Sequence, residues 1–241
     1  FLVSHLGDPK PAIKPGHYTL FGFRFCPFVD RVRMVLEYYK IPYDVVWISL
    51  SSKPSWYLEM NPIGKVPLLI NKEGKTIVES DVIMRYLDET SGNKRLMSLC
   101  GETEWKRAGM LASKLAAPSF GILYGVSVRQ EDASAYREAC QEVDDAIKGP
   151  YFLGSELTLA DFLLFAHLNH FEAVMARLDG VAPAEVCDVS MTDPNLVKWL
   201  RLVGFLNAMR RLPCVDSAFT PPRIRALYAE SYRKGQPNPD L

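Results

Sequence analysis

Hydrophobic and polar positions divide the chain into a part where strand and helix patterns alternate and a part where only helix patterns occur. Tyr18 to Phe23 are mainly aromatic or β-branched, which is typical of a strand. From Pro27 to Lys40, apolar side chains recur every three or four residues, which predicts a helix. The pattern then predicts a strand at 43–50, a short helix at 56–60, a hairpin of strands at 66–70 and 76–78, and a helix at 80–90 with Ser80 as its N-cap.

The order of these elements predicts a mixed sheet. A strand, a helix and a strand in succession form a parallel, right-handed crossover, and a later hairpin adds antiparallel strands. This βαβ–ββα order predicts an α/β unit of the thioredoxin-like type.

Beyond Gly92 the pattern predicts an all-helical unit. The stretch from Leu159 to Leu178 is apolar on most sides, which predicts a helix at the buried centre of this unit. Thr158 and Asp161 have the spacing of a capping box in front of it. Other helices are predicted at 102–119, 131–148, 194–209 and 221–233.

Four segments follow from these patterns. The first carries Pro9, Pro11 and Pro15 and has no hydrophobic period, which is typical of a tail or extended arm. The predicted organisation is a tail at 1–17, a thioredoxin-like domain at 18–92, a linker at 93–101 and an all-helical domain at 102–241.

Composition and charge exclude several classes of protein. Hydrophobic residues make up 48% and charged residues 23%, which excludes a disordered or collagen-like chain. The 28 Lys and Arg residues balance the 28 Asp and Glu residues, and no basic patch stands out, so we expect no nucleic-acid partner. No apolar stretch reaches the roughly 20 nearly uncharged residues of a membrane span. The 5 cysteines are odd in number and widely spaced, which favours a reducing compartment such as the cytoplasm.

The chemical signal is Cys26, which lies between the first predicted strand and the first predicted helix. The first turn of a helix has unpaired N–H groups and the positive end of the helix dipole, and both favour a thiolate. Pro27 suits the first helical position, and Arg24 and Arg31 lie nearby in the sequence. We therefore expect a reactive thiol whose pKa is lowered, because thiols placed in this way have pKa values of about 3.5–7.5. The alternative is a buried structural cysteine.

Cys26 has no neighbouring thiol with which to form a disulfide. A dithiol oxidoreductase carries its second cysteine three positions later, where this chain has Val29. The second thiol must then come from solution, and glutathione is the abundant intracellular one. A single thiol on a thioredoxin-like unit therefore predicts thiol exchange coupled to glutathione.

The same unit contains candidate residues for binding a peptide such as glutathione. Val66 and Pro67 precede an apolar strand, where a cis-proline would turn the backbone of Val66 towards a bound peptide. Glu79, Ser80 and Asp81 open a helix, whose free N–H groups and hydroxyl suit a carboxylate while an acidic side chain suits an ammonium. Lys53 suits a second carboxylate. Each also has a simpler reading, as a loop entry, an N-cap or a solvated surface charge.

Three segments, 23–43, 51–69 and 77–89, with the Cys-Pro-Phe, Asn-Pro-x-Gly-x-Val-Pro and Glu-Ser-Asp motifs in this order, resemble the glutathione-binding half of an omega-class glutathione transferase. The Thr-Leu-Ala-Asp-Phe segment at 158–162 extends the resemblance into the helical half. The resemblance implies a cytosolic homodimer that reduces mixed disulfides and dehydroascorbate with glutathione and conjugates weakly. It implies these roles: Cys26 as nucleophile, Phe28 and Lys53 beside the tripeptide, Val66 before the cis-proline Pro67 pairing with the main chain of its cysteinyl unit, and Glu79 and Ser80 at its γ-glutamyl end.

The acceptor side of the resemblance is weaker. His167 and His170 stand where vertebrate members of the class carry a tryptophan and an arginine. At this spacing the two imidazoles would share one face of a helix and contact an acceptor or, as the less favoured alternative, ligate a metal. We expect no metal. Phe120 to Tyr124 and Trp199 fit a core better than a ligand site.

Two other functions are compatible with the pattern. A membrane-inserting protein of the chloride intracellular channel type shares a Cys-Pro-Phe site on the same fold. A binding module, such as the transferase-like domain of the translation elongation factor gamma subunit, needs no reactive thiol. The Glu79–Ser80 pair favours glutathione binding over the first of these.

Overall fold

Residues 3–186 and 197–241 are described by a computed structural model of the chain. The chain divides into two units, the first ending at Lys94 and the second beginning at Arg95. A mixed α/β unit followed by a helical unit confirms the predicted fold class.

The described part of the first unit contains five strands: β1 Val3–Ser4, β2 Tyr18–Gly22, β3 Tyr43–Ile48, β4 Leu68–Ile70 and β5 Thr76–Val78. They form one sheet in the order β1-β3-β2-β4-β5. The two central pairings are the predicted ones, because β2 is parallel to β3 and antiparallel to β4. The hairpin of β4 and β5 is antiparallel.

Three helices complete this unit: α1 Pro27–Tyr38, α2 Ser55–Met60 and α3 Ser80–Gly92. Aromatic side chains of α2 pack against the sheet, because the Phe21 ring lies 6.0 Å from Trp56 and 5.9 Å from Tyr57 between centroids. Phe21, Trp56 and Tyr57 belong to one cluster of buried residues, together with Ile48, Leu68 and Ile70.

The arm at 1–17 contributes to the sheet. Val3 pairs with Trp47 and Ser4 with Ile48, so β1 is an edge strand parallel to β3. Farther along the arm, the backbone carbonyl of Asp8 accepts a hydrogen bond from the Trp56 indole at 2.9 Å. The sequence did not predict this strand, because two residues are too few to show a hydrophobic period.

The second unit is helical in its described residues. Its helices are α4 Arg95–Tyr124, α5 Gln130–Ala146, α6 Leu159–Leu168, α7 Phe171–Leu178, α8 Leu200–Arg210, α9 Pro213–Ala218 and α10 Pro222–Arg233. Gly101 has a φ of 73°, so α4 consists of a short helix and a long one. The helical residues 95–100 fall within the segment predicted as a linker. Part of the helix predicted at 194–209 lies outside the described residues.

The capping box in front of α6 is confirmed. The Asp161 carboxylate accepts hydrogen bonds from the backbone N–H and the hydroxyl of Thr158, each at 2.7 Å. Its other oxygen accepts from the Phe152 N–H at 2.6 Å, which ties the preceding loop to the helix.

The prediction of one helix from Leu159 to Leu178 is wrong at its middle. Every residue of α6 is buried, as predicted, but the helix ends at Leu168 and α7 begins at Phe171. Asn169 and His170 form the junction, and both are buried polar residues. Within the described residues, each helix is too short or too polar to cross a bilayer.

Candidate functional site

Cys26 lies at the junction of β2 and α1. It is the N-cap residue of α1, and Pro27 occupies the first turn as expected. Its carbonyl accepts hydrogen bonds from Val29 and Asp30 at 3.0 and 3.1 Å, which begin the helix. At the end of β2, a Cβ on Gly22 would lie 2.7 Å from Cγ1 of Val29, so only glycine allows this close approach of strand and helix.

A cavity of about 380 Å³ opens beside Cys26, within the first unit. This volume lies in the range of small-molecule sites. All the residues predicted for the nucleophile and for glutathione line it: Cys26, Phe28, Lys53, Val66, Pro67, Glu79 and Ser80. The fold therefore brings together residues that are more than 50 positions apart in the chain.

One wall of the cavity is the loop before β4. The Val66–Pro67 peptide bond is cis, as expected from the sequence. The adjacent Lys65 carbonyl accepts hydrogen bonds from the Tyr57 hydroxyl at 2.6 Å and from Nδ2 of Asn61 at 2.7 Å. The sequence pattern did not predict these two supporting residues, although Asn61 belongs to the Asn-Pro-x-Gly-x-Val-Pro motif.

The start of α3 also lines the cavity. Ser80 is the first helical residue and Glu79 is the N-cap, so the prediction of Ser80 as N-cap is wrong by one position. Glu79 has a φ of 66°, a left-handed value that is unfavourable for a residue with a Cβ. Such strain is often found at functional sites. It turns β5 directly into α3, leaving the exposed Glu79 carboxylate and the buried Ser80 at the cavity.

Lys53 provides a positive charge at this cavity. Its side chain packs over Gly64, since a Cβ at Gly64 would lie only 3.2 Å from Nζ of Lys53. Gly64 also has a φ of 65°, which any other residue would adopt at a cost. The loop therefore leaves room for the ammonium group of Lys53.

The electrostatic environment of Cys26 differs from the expectation. Burial raises the pKa of the Cys26 thiol to about 11, although hydrogen bonds from the Val29 and Phe28 amides and the charge of Arg31 act to lower it. Asp30 adds to the increase. The expectation of a lowered pKa is wrong for the free site, because the loss of hydration outweighs the helix terminus.

The two histidines predicted for the acceptor site lie in the interior of the helical unit. His167 is 3% exposed and His170 is 5% exposed. Nε2 of His170 lies 2.6 Å from Nη1 of Arg225. His167 lies near the end of α6, whereas His170 lies just before the start of α7. The two histidines are therefore not on one continuous helix. Among the residues that the structure describes, no group of three or more His, Cys, Asp or Glu side chains is placed to hold a metal ion.

An aromatic cluster on the helical unit was missed. The Tyr124 ring lies 4.9 Å from Phe120, 5.2 Å from Tyr232 and 6.1 Å from Tyr228, between centroids. Phe120 is 60% exposed, which contradicts its assignment to the core, whereas Trp199 is buried as expected. The sequence signal for this cluster was the spacing of four positions within two aromatic pairs, Phe120 with Tyr124 and Tyr228 with Tyr232, on two separate helices.

Comparison with known proteins identifies the family. The model described as "Glutathione S-transferase, N-terminal domain" matches residues 20–95, and "Glutathione S-transferase, C-terminal domain" matches 127–202. Glutathione S-transferase omega-1 of Rattus norvegicus is 30% identical, over 95% of this chain and 91% of the rat protein. The chain belongs to the omega class of the glutathione S-transferase family.

One further relative and one solved structure also match the chain. Glutathione S-transferase DHAR2 of Arabidopsis thaliana is 30% identical, over 63% of this chain and 70% of the plant protein. Dehydroascorbate reductase of Chlamydomonas reinhardtii has a solved structure that matches with a TM-score of 0.66 at 23% identity, over 89% of this chain and 98% of that one. The second likeness concerns the fold. As an omega-class member, the protein is a glutathione transferase enzyme.

Proposed function

We propose that this transferase catalyses glutathione-dependent thiol–disulfide exchange and dehydroascorbate reduction, with Cys26 as the nucleophile. The observation that carries the proposal is the cavity in which Cys26, Lys53 and the Glu79–Ser80 pair meet. A cysteine at this position becomes covalently joined to glutathione, whereas a hydroxyl would only hold the glutathione thiolate for conjugation. Conjugating activity is accordingly weak.

Each part of glutathione has a matching group in the cavity. The amide and hydroxyl of Ser80 and the carboxylate of Glu79 suit the carboxylate and ammonium of the γ-glutamyl end. The backbone of Val66 pairs with the cysteinyl unit in the manner of an added strand. Lys53 suits the glycyl carboxylate, and Phe28 covers the apolar stem of the tripeptide.

Exchange proceeds by two displacements at sulfur. The Cys26 thiolate attacks the glutathione sulfur of a mixed disulfide, forming the Cys26–glutathione disulfide and releasing the acceptor thiolate, which takes up a proton. A second glutathione thiolate attacks the glutathione sulfur of this intermediate. It forms glutathione disulfide and releases Cys26 as the thiolate. The net reaction converts one mixed disulfide and one glutathione into one thiol and one glutathione disulfide.

Dehydroascorbate fits the same scheme after one additional step. A glutathione thiol adds to a carbonyl carbon of dehydroascorbate, and Cys26 attacks the sulfur of this adduct. The carbon–sulfur bond breaks, and its electron pair with one proton yields ascorbate. The second glutathione then resolves the Cys26–glutathione disulfide. Two glutathione molecules are oxidised for each dehydroascorbate reduced.

The pKa of about 11 still permits this chemistry. Only a small fraction of Cys26 is ionised at neutral pH in the free site. A more basic thiolate is also intrinsically more nucleophilic, which offsets part of the loss in its concentration.

Intact-mass measurement after incubation with glutathione disulfide tests the nucleophile. We expect one glutathione adduct that maps to Cys26, is removed by reductant, and is lost in Cys26→Ala but retained in Cys214→Ala. Cys26→Ala should also abolish turnover with hydroxyethyl disulfide and with dehydroascorbate. Unchanged turnover in Cys26→Ala would overturn the proposal.

The same samples discriminate the two alternatives. Chloride flux in liposomes without retention on immobilised glutathione would favour the channel-type protein. Absence of any adduct, together with no retention on glutathione, would favour a binding module.

We further infer a cytoplasmic homodimer from membership of the class. The cysteines that the structure describes, Cys26, Cys100, Cys140 and Cys214, are all free, which suits a reducing compartment. Light scattering should give a mass twice the 27.2 kDa of the chain, and a monomeric mass would contradict the inference.

A further inference from the structure

Arg31 lies on α1, five positions beyond the candidate nucleophile. Long side chains on a helix lean towards its N-terminus, so the Arg31 side chain extends over the first turn of α1, where Phe28 lies. The Arg31 residue is only 7% exposed. A buried guanidinium is unfavourable unless its hydrogen bonds and its charge have partners, so its surroundings identify its role.

The guanidinium contacts two residues of the cavity. Nη1 of Arg31 donates a hydrogen bond to Oγ of Ser80 at 3.3 Å. Its central carbon lies 4.9 Å from the centroid of the Phe28 ring, in the range of a cation–π interaction. Ser80 is on α3 and Phe28 is on α1, so Arg31 links the starts of the two helices that contribute residues to the cavity.

The charges of Arg31 and Cys26 also influence each other's pKa. Burial lowers the pKa of Arg31 to about 10, while the charges of Asp81 and Cys26 act to raise it. At neutral pH Arg31 therefore stays protonated. In return, its positive charge acts to lower the pKa of Cys26 against the effect of burial.

We propose that Arg31 is a positioning residue for the transferase reaction: it orients Phe28 and Ser80 for glutathione and stabilises the Cys26 thiolate electrostatically. The inference rests on Cys26 being the nucleophile of the proposed function. It acts in both displacements, because the same thiolate is the attacking group in the first and the leaving group in the second. A better-stabilised leaving thiolate departs faster.

Several other ionisable groups influence the same sulfur or line the same cavity. Asp30 on α1 opposes Arg31, and Tyr57 on α2 interacts with the sulfur. Asp81 on α3 attracts the guanidinium away from Cys26. Lys53 and Glu79 line the cavity. Arg31 acts on the pKa of Cys26 with a positive charge, in the direction opposite to Asp30.

The test compares three variants, Arg31→Gln, Arg31→Lys and Arg33→Gln. Arg33 is the matched control, because it lies on the same helix with its guanidinium 5.5 Å from the Trp47 ring and does not line the cavity. The first readout is the rate of Cys26 alkylation by iodoacetamide at pH 8, followed by intact mass. The second is the split between kcat and KM for glutathione.

Removing the charge should lower the rate of Cys26 alkylation about threefold, because the positive charge of Arg31 acts to lower the pKa of the thiol. Arg31→Lys should restore most of the alkylation rate. It should retain a raised KM for glutathione, because lysine cannot both stack on Phe28 and bond to Ser80 in the arginine geometry. Arg33→Gln should match the unmodified protein in both readouts.

Alkylation of Arg31→Gln at the rate of the unmodified protein would overturn the inference, as would an equal loss in Arg33→Gln. If Arg31→Gln does not fold, the alkylation rate of Asp81→Asn becomes the deciding measurement. Removing the competing carboxylate should accelerate alkylation about twofold, and an unchanged or slower rate would contradict the role of Arg31. Failure of the proposed function appears separately, as absence of a glutathione adduct on the unmodified protein.

Discussion

Nη1 of Arg225 donates a hydrogen bond to Nε2 of His170 at 2.6 Å, inside the helical unit. An arginine N–H cannot accept, so His170 is the acceptor and carries its proton on Nδ1. Nε of Arg225 donates to the Thr220 carbonyl at 3.2 Å. Arg225 thus connects the residue that precedes α7 to the chain that leads into α10.

Replacing Arg225 with Met should lower the free energy of unfolding by about 3 kcal/mol, because His170 and the Thr220 carbonyl lose a buried donor. Chemical denaturation monitored by circular dichroism measures the change. Arg223→Met, at an exposed position of the same helix, should change it by less than about 0.5 kcal/mol. Equal effects at both positions would show that the buried contact contributes nothing.

The pH dependence of Cys26 alkylation separates two accounts of the site. With a pKa raised by burial to about 11, the rate should climb about tenfold per pH unit from pH 7 to pH 10. Rapid mixing with iodoacetamide, with Cys26→Ala as background, measures it. A plateau below pH 8 would instead support the lowered pKa that the helix N-terminus alone predicts.

The stability of the folded protein should also depend on the protonation of Cys26. A thiol pKa raised from 9.0 to about 11 in the folded protein means that the folded state holds its proton more tightly. This contribution is complete below pH 9 and is lost as the pH rises towards 11. Across this pH interval the unfolding midpoint of the unmodified protein should fall relative to that of Cys26→Ala. A constant difference between the two midpoints would show that stability does not depend on the protonation of Cys26.

Glu79 should show opposite effects on stability and on binding. Its φ of 66° costs about 1–3 kcal/mol for a residue with a side chain, whereas glycine adopts it freely. Glu79→Gly should be about 1 kcal/mol more stable than Glu79→Ala, although both lose the carboxylate and bind glutathione less tightly. Thermal unfolding and calorimetric titration provide the two measurements. An alanine variant as stable as the glycine variant would refute the strain.

Lys53 should act on glutathione affinity and little on turnover at saturation. Lys53→Met removes a charge-assisted hydrogen bond to a carboxylate, so KM for glutathione should rise about tenfold or more. Lys75→Met, on the exposed hairpin turn outside the cavity, is the control. A fall in kcat without a change in KM would place Lys53 elsewhere in the reaction.

Local patterns predicted most of the architecture, because each relied on neighbours within a few residues. The Thr158–Asp161 capping box is such a case: both of its hydrogen bonds span three positions. The bond from the Phe152 N–H to Asp161 was not predictable in this way, because it depends on where the preceding loop folds.

The errors arose where long-range packing decided the outcome. The helix from Leu159 ends before the junction at Asn169 and His170, where His170 contacts Arg225 far along the chain, and an apolar pattern does not show this contact. The pKa of Cys26 depends on how completely the fold excludes water, whereas the sequence shows only its place before a helix. The cavity residues were predictable because three motifs occur in a fixed order.

The short β1 strand has a consequence for solubility. It occupies the hydrogen-bonding edge of β3 at Trp47 and Ile48, which would otherwise offer unpaired backbone groups to another chain. Although the arm contributes only two residues to the sheet, it thereby protects this edge from strand-to-strand aggregation. Loss of β1 should affect catalysis at Cys26 less than it affects the resistance of the protein to aggregation at high concentration.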